Sequence, residues 1–252
     1  MPSVLCAPQL QDHGFAHGFS TRQGGVSAAP YVSLNLGRSV GDDGASVVEN
    51  RRRFAAQVGY APELLFELNQ VHGGAVRVIR ATDTPEALRR MDGDGLVAGA
   101  GLALGVRTAD CLPLLLADPV TRTVGAVHAG WRGAAAGVVE AGVQALCALS
   151  LAPPQRLLAA LFPHIRVCCF EVGAEVADAL ARAAHGVPVV RPGPKPHVEL
   201  AGVVSAQLRA AGVRAECIDD VPGCTRCEPE RFFSFRRDGQ ASGRHLAAIV
   251  AA

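Results

Sequence analysis

The chain has 252 residues and a formal net charge of +1, and it is 49% hydrophobic but only 5% aromatic. That length allows one large domain or two small ones around a substantial core. The near-neutral balance argues against a nucleic-acid partner, and no apolar run approaches the roughly 18 residues of a membrane span. The opening Met1-Pro2-Ser3-Val4-Leu5 lacks the basic and long apolar segments of a secretory signal, so a cytoplasmic location is expected.

In chain order, Gly18-Phe19-Ser20-Thr21-Arg22-Gln23-Gly24-Gly25-Val26-Ser27 reads as a Gly-rich loop and Ser33-Leu34-Asn35-Leu36 as a short strand. A helix follows over 45–58, stopped by Gly59. Its Arg51-Arg52-Arg53 run reads as a solvated face. A strand is expected over 75–80, a short helix over 85–91, and a turn at Asp92-Gly93-Asp94-Gly95. The runs 96–98, 102–106, 112–117 and 124–127 are nearly continuous apolar stretches, as in strands buried on both faces. The remainder reads as a helix over 133–149, a strand over 157–162, helices over 171–184 and 200–211, and a strand over 246–250. No repeat or long linker divides the chain, so a single α/β domain over 1–252 is expected.

Eight cysteines in a chain with a real core do not read as a disulfide framework. Cys6, Cys147 and Cys217 lie among apolar neighbours and read as buried thiols. Cys168 and Cys169 are adjacent, so their side chains diverge in regular structure and do not bridge each other. Cys224-Thr225-Arg226-Cys227 has zinc-knuckle or redox spacing, with no second such pair.

Three segments carry the chemistry: Asn69-Gln70-Val71-His72-Gly73, Ala109-Asp110-Cys111-Leu112-Pro113 and Val127-His128-Ala129-Gly130-Trp131-Arg132-Gly133. The two imidazoles of His72 and His128 and the thiolate of Cys111 suit a zinc ion and leave a fourth position open. The same donors accept copper. Asp110 either accepts a ring N–H from a ligating histidine or caps the next turn. Trp131, the only tryptophan, either stacks a purine or fills the core. Arg132 stands near a helix start, where an anion can be held. Arg22, beside Gly24-Gly25, is the preferred phosphate clamp, with Arg236 or Arg237 as further candidates. His164 reads as a surface residue rather than a fourth ligand.

Gln70-Val71-His72-Gly73, Thr108-Ala109-Asp110-Cys111-Leu112-Pro113 and His128-Ala129-Gly130-Trp131-Arg132-Gly133 resemble the signature segments of the YfiH laccase-domain family. Its members are called multicopper polyphenol oxidases, laccase-domain proteins and purine nucleoside phosphorylases. Gly18 to Ser27, Ser33-Leu34-Asn35-Leu36-Gly37, Phe170-Glu171-Val172-Gly173 and Phe232-Phe233-Ser234-Phe235-Arg236-Arg237-Asp238 extend the likeness over nearly the whole chain. The resemblance implies a zinc held by His72, Cys111 and His128. It implies phosphorolysis of adenosine, inosine and methylthioadenosine, with deamination of adenosine, and so a purine nucleoside and phosphate as small-molecule partners of a monomer or homodimer. Some relatives are named peptidoglycan editing factors. The implied fold is an αββα sandwich shared with bacterial deamidase toxins that use a Cys–His pair. One departure stands out: relatives carry a Gly-Pro-x-Ile-Gly turn where this chain has Phe162-Pro163-His164-Ile165-Arg166, so an altered pocket wall is expected there.

The residues leave rivals open. Cys111 and His128 could act as nucleophile and base of a metal-free hydrolase. A copper oxidase would draw on His-x-His clusters, which the sequence lacks. A metal could also serve only as a staple for the fold.

Overall fold

A computed structural model of the chain describes residues 4–251; the reading of Met1-Pro2-Ser3 as the start of a leaderless chain lies outside them. The first half runs through β1 (Val4–Leu5), α1 (Pro8–Asp12), β2 (His17–Ser20), α2 (Gly44–Val58), β3 (Leu65–Phe66), β4 (Val76–Ile79) and α3 (Pro85–Leu88). Four strands follow, β5 (Gly95–Ala98), β6 (Ala103–Thr108), β7 (Leu112–Ala117) and β8 (Val124–Ala129). Helices α4 (Trp131–Ala135) and α5 (Val138–Ser150) lead to β9 (Leu158–Leu161) and α6 (Ala174–Ala183). The chain continues through β10 (Val190–Arg191), β11 (His197–Val198), α7 (Leu200–Ala210), β12 (Ile218–Asp220), α8 (Phe235–Asp238) and β13 (His245–Val250).

Two mixed sheets organise this single α/β domain. One has the order β1-β2-β13-β6-β3, the other β12-β9-β7-β8-β5-β4. They pack face to face, with β6 and β13 against β7 and β8. Helix α2 lies on β1 and β2 of the first sheet, and α5 covers β4, β5, β7 and β8 of the second. Alternation along β13 explains its unbroken apolar run: Leu246 and Ala248 pack in the cluster with Phe54 and Val58 of α2, whereas Ala247 and Ile249 join the main core.

Several local expectations change. Ser33 to Leu36 forms no strand; its backbone is held by the Asn50 side chain, which donates to the Ser33 and Asn35 carbonyls. Leu34 and Leu36 are nonetheless core residues beneath α2. Arg51 is not on a solvated face. It is buried, donates to the Leu36 carbonyl at 2.7 Å and pairs with buried Glu67, whereas Arg52 and Arg53 face outward and pair with Glu49. The helix expected over 133–149 is two helices, because Gly137 between them takes a left-handed φ of +80°. Helix α6 starts three residues later than expected, since Glu171 and Val172 pair with the 196–197 segment.

Among the three thiols read as buried, only Cys217 is; Cys147 is half-buried and Cys6 exposed. His164 is not at the surface but fully buried, with its Nδ1 2.8 Å from the Phe162 carbonyl. Among the described residues, no helix is long and apolar enough to cross a membrane.

Candidate active site and metal centre

The three signature segments meet at one end of the sheet sandwich. His72 lies in the loop between β3 and β4, Cys111 in the turn between β6 and β7, and His128 on β8 opposite Pro113. Their ligand atoms all lie within 4.8 Å of one another. The two imidazole rings stand 4.8 Å apart at 77°. His72 and Asp110 both take positive φ, +61° and +89°, so the two turns are bent sharply to aim their side chains inward.

Close approach also depends on Gly130, which caps α4. A Cβ there would lie 3.0 Å from both the Cys111 Sγ and the His72 ring. Glycine lets the chain leaving β8 run past both groups without either having to give way.

The organiser of the cluster is Asp94, which ends the turn read as a plain Asp-Gly repeat. Its Oδ1 accepts the His72 N–H at 2.9 Å and its Oδ2 the Gly73 N–H at 2.7 Å. The same carboxylate sits 2.8 Å from the Nδ1 of His128. That bond places the ring proton on Nδ1 and leaves Nε2 free for a metal or a thiol. Burial works against ionisation of Asp94, but His128 and the backbone N–H groups outweigh it and lower its pKa. Burial also pushes the Cys111 thiol up, yet His128 and His72 bring it down to about 6. His128 moves the other way, to about 9, because the Cys111 and Asp94 charges outweigh its burial. The pair is therefore poised as thiolate and imidazolium when no cation binds.

Asp110 does not hold a ligand ring. Its Oδ1 accepts the Thr225 hydroxyl at 2.6 Å and its Oδ2 the Arg236 N–H at 2.6 Å, so it ties the loop after β12 and the first turn of α8 to the turn that carries Cys111. Arg22 lies outside the cavity: its guanidinium donates to the Val32 and Pro229 carbonyls and stacks over Phe233. Arg237 is likewise occupied, by Asp238 and the Thr225 and Phe232 carbonyls.

The cluster opens into a cavity of about 530 Å³. Trp131, Arg132 and Arg236 line it as the sequence suggests; Phe235, beside Arg236, joins them, as do Arg107 and Arg244 from segments not singled out as site residues. Arg236 donates to the Glu171 carbonyl and Arg107 to the Leu68 carbonyl. Arg132 lies over the Trp131 ring at 4.4 Å, and among the described residues nothing else pairs with its guanidinium. The Thr108 hydroxyl at the cavity wall is buried without a hydrogen-bond partner. Of the departing turn, only Ile165 reaches the cavity. Phe162 is buried in the core and Arg166 turns away to pair with Asp220, so neither reshapes that wall.

The sequence profile of the multi-copper polyphenol oxidoreductase laccase family matches residues 16–252. The chain belongs to the YfiH laccase-domain family. A purine nucleoside phosphorylase from Deinococcus radiodurans is 42% identical over 249 residues, which are 98% of this chain and 92% of that one. An adenosine deaminase named RL5, from an unknown prokaryotic organism, is 38% identical over 92% of each chain. Among solved structures, YlmD from Geobacillus stearothermophilus superposes with a TM-score of 0.87 at 35% identity, covering 93% of this chain and 90% of that one. This laccase-domain chain thus shares its fold with YlmD and much of its sequence with relatives named for purine nucleoside chemistry.

Proposed function

We propose that this laccase-domain protein is a zinc-dependent purine nucleoside phosphorylase that also deaminates adenosine, acting as one catalytic unit over 1–252. The observation that carries the reading is the convergence of His72, Cys111 and His128 at a cavity of nucleoside size rimmed by arginines. The donor set fits zinc: two imidazoles and a thiol already drawn toward thiolate, with His128 held in the ligating tautomer. When bound there, zinc supplies a Lewis acid able to polarise an oxygen or lower the pKa of water.

The chain's own residues do the rest. Trp131 and Phe235 offer faces on which a purine can stack, and the unpartnered Thr108 hydroxyl is available to the ligand. Arg132, whose guanidinium is not engaged by a carboxylate or carbonyl, takes the phosphate, in place of Arg22; Arg236 supports it from α8. In phosphorolysis a phosphate oxygen bonds to the anomeric carbon as the glycosidic bond breaks, and its electron pair leaves with the purine nitrogen, which takes up a proton. In deamination water adds to the aminated purine carbon and ammonia departs. Methylthioadenosine and inosine fall within the same substrate class. The stacking of α2, two sheets and α5 supports the finer reading of an αββα sandwich akin to the Cys–His deamidase toxins.

Chromatography of adenosine with the metal-loaded protein, with and without phosphate and beside Cys111→Ala, tests this reading. Adenine only in the presence of phosphate, and inosine without it, both absent from the variant, are the expected products. One observation favours a second reading: Asp94, His128 and Cys111 stand in the order of orienting carboxylate, base and thiol. Turnover that survives complete chelation but not thiol alkylation would transfer the assignment to a metal-free hydrolase, with cell-wall stem-peptide precursors as the first substrates to try. Copper rather than zinc in the active protein, with oxidation of phenols, would favour the oxidase.

A further inference from the structure

Four of the seven cysteines left aside by this chemistry form a cluster of their own. Cys168 and Cys169 lie in the loop after β9, and Cys224 and Cys227 in the loop after β12. Sequence adjacency suggested that Cys168 and Cys169 point apart; both sulfurs instead reach the Cys227 sulfur, at 3.5 and 3.1 Å. Cys168 also lies 3.6 Å from Cys224, and all four sulfurs fall within 4.8 Å of one another. A zinc ion at about 2.3 Å from each of four tetrahedral thiolates sets its sulfurs about 3.8 Å apart. The observed spacing is of that size, and all four thiols are free.

Charge and backbone agree with a cation there. Arg226 stands between Cys224 and Cys227 in the chain, so a cationic side chain and the backbone N–H groups of that turn lie beside the sulfurs. Such donors offset the double negative charge that a divalent ion retains with four thiolates. Two cysteines are buried and two exposed, which leaves an entry path for the ion but no open coordination position for a substrate.

We propose that Cys168, Cys169, Cys224 and Cys227 form a second, closed site for a soft divalent cation of the zinc class. The site braces the catalytic cavity from behind. Its two loops are already joined by the Thr225 N–H to the His164 carbonyl at 3.1 Å. Each also reaches the turn of Cys111, through the Ile165 N–H to the Asp110 carbonyl at 2.9 Å and the Thr225 hydroxyl to the Asp110 carboxylate. A cation at the sulfurs locks the two straps together and so fixes where Asp110 stands.

Elemental analysis of the full chain after zinc loading and gel filtration tests the assignment. Two zinc ions per wild-type chain are expected, one in Cys111→Ala, and one in Cys227→Ser. Cobalt(II) added to the stripped protein should give the intense visible bands of a four-thiolate tetrahedral site, kept in Cys111→Ala and lost in Cys227→Ser. If Cys227→Ser fails to fold, the metal and cobalt spectrum retained by Cys111→Ala still decide. A single zinc that disappears with Cys111→Ala overturns the proposal. So does a Cys169–Cys227 disulfide in the non-reduced peptide map, or four freely alkylated thiols in the loaded protein.

Discussion

Asp94 and His128 are bound twice: the His128 N–H donates to the Asp94 carbonyl at 2.7 Å, and the Asp94 carboxylate lies 2.8 Å from the His128 Nδ1. Because that carboxylate also holds the His72 loop, one side chain orients two of the three site residues. Asp94→Asn should therefore lower both zinc affinity and turnover by about 10- to 100-fold. Competition with a chromophoric chelator and steady-state kinetics measure the two separately. Unchanged affinity would mean that the loop and ring are held by something else.

Gly130→Ala separates site from fold. The added methyl would press on Cys111 and His72 at 3.0 Å, while the backbone φ of −73° accepts alanine without strain. Zinc occupancy should fall sharply with the melting temperature nearly unchanged. Full occupancy would show that the two side chains can yield.

Two of the arginines offered as phosphate clamps should behave differently. Arg132→Ala should raise KM for phosphate about 10- to 100-fold, the scale of one charge-assisted hydrogen bond, while sparing deamination. Arg22→Ala should leave that KM alone and lower thermal stability, since it removes the ties to Val32 and Pro229. A rise in phosphate KM with Arg22→Ala would restore it to the site.

Acid should unfold the protein through its buried histidines. His245 Nε2 accepts the Phe233 N–H at 2.8 Å and His17 Nε2 accepts the Ala7 N–H at 2.8 Å, so each ring must stay neutral to keep its bond. Burial lowers both pKa values, that of His245 to about 3. The unfolded chain, with histidines near 6.5, takes up these protons first. Stability is thus full above about pH 6.5 and declines below it, by about 2 kcal/mol at pH 5 for His245 alone. Urea titrations at pH 7.5 and 5 should show the loss, and His245→Asn should flatten it; an equal slope in the variant would assign the acid sensitivity elsewhere.

Glu67 offers the complementary case. Its burial opposes ionisation, but Arg51, Arg107 and Arg38 outweigh it and hold the carboxyl below its usual range. Arg51→Met should cost about 3 kcal/mol or more, because it leaves a buried charge short of its main partner. Denaturant midpoints read that cost directly, and a change below 1 kcal/mol would show that Arg107 and Arg38 suffice.

Periodicity made much of this architecture readable. Leu112–Ala117 is apolar at every position and is a strand with those bounds, because both faces are covered. Gly59 and Gly212 stop α2 and α7 in the left-handed conformation that few other residues accept. His72 and Cys111 were legible because each stands in a distinctive turn, and His128 because it ends an apolar strand just before Gly130. Asp94 was not, since an Asp-Gly-Asp-Gly string looks like a solvent turn until β5 is paired with β8. Arg51 was misplaced because its carboxylate partner, Glu67, lies outside α2 where the chain leaves β3. The four clustered cysteines are split between loops more than fifty residues apart, a proximity that only the parallel pairing of β9 with β12 creates.

The place of β13 bears on how the molecule is made. It inserts between β2 and β6 in the first sheet, hydrogen-bonded to both. A ribosome therefore exposes β2 and β6 long before the strand that seals them, and each presents an open edge ready to pair with a stranger. Stalled or shortened nascent chains lacking residues 245–250 cannot zip that sheet and are natural clients for chaperones. The first layer closes only after residues 4–244 have been made.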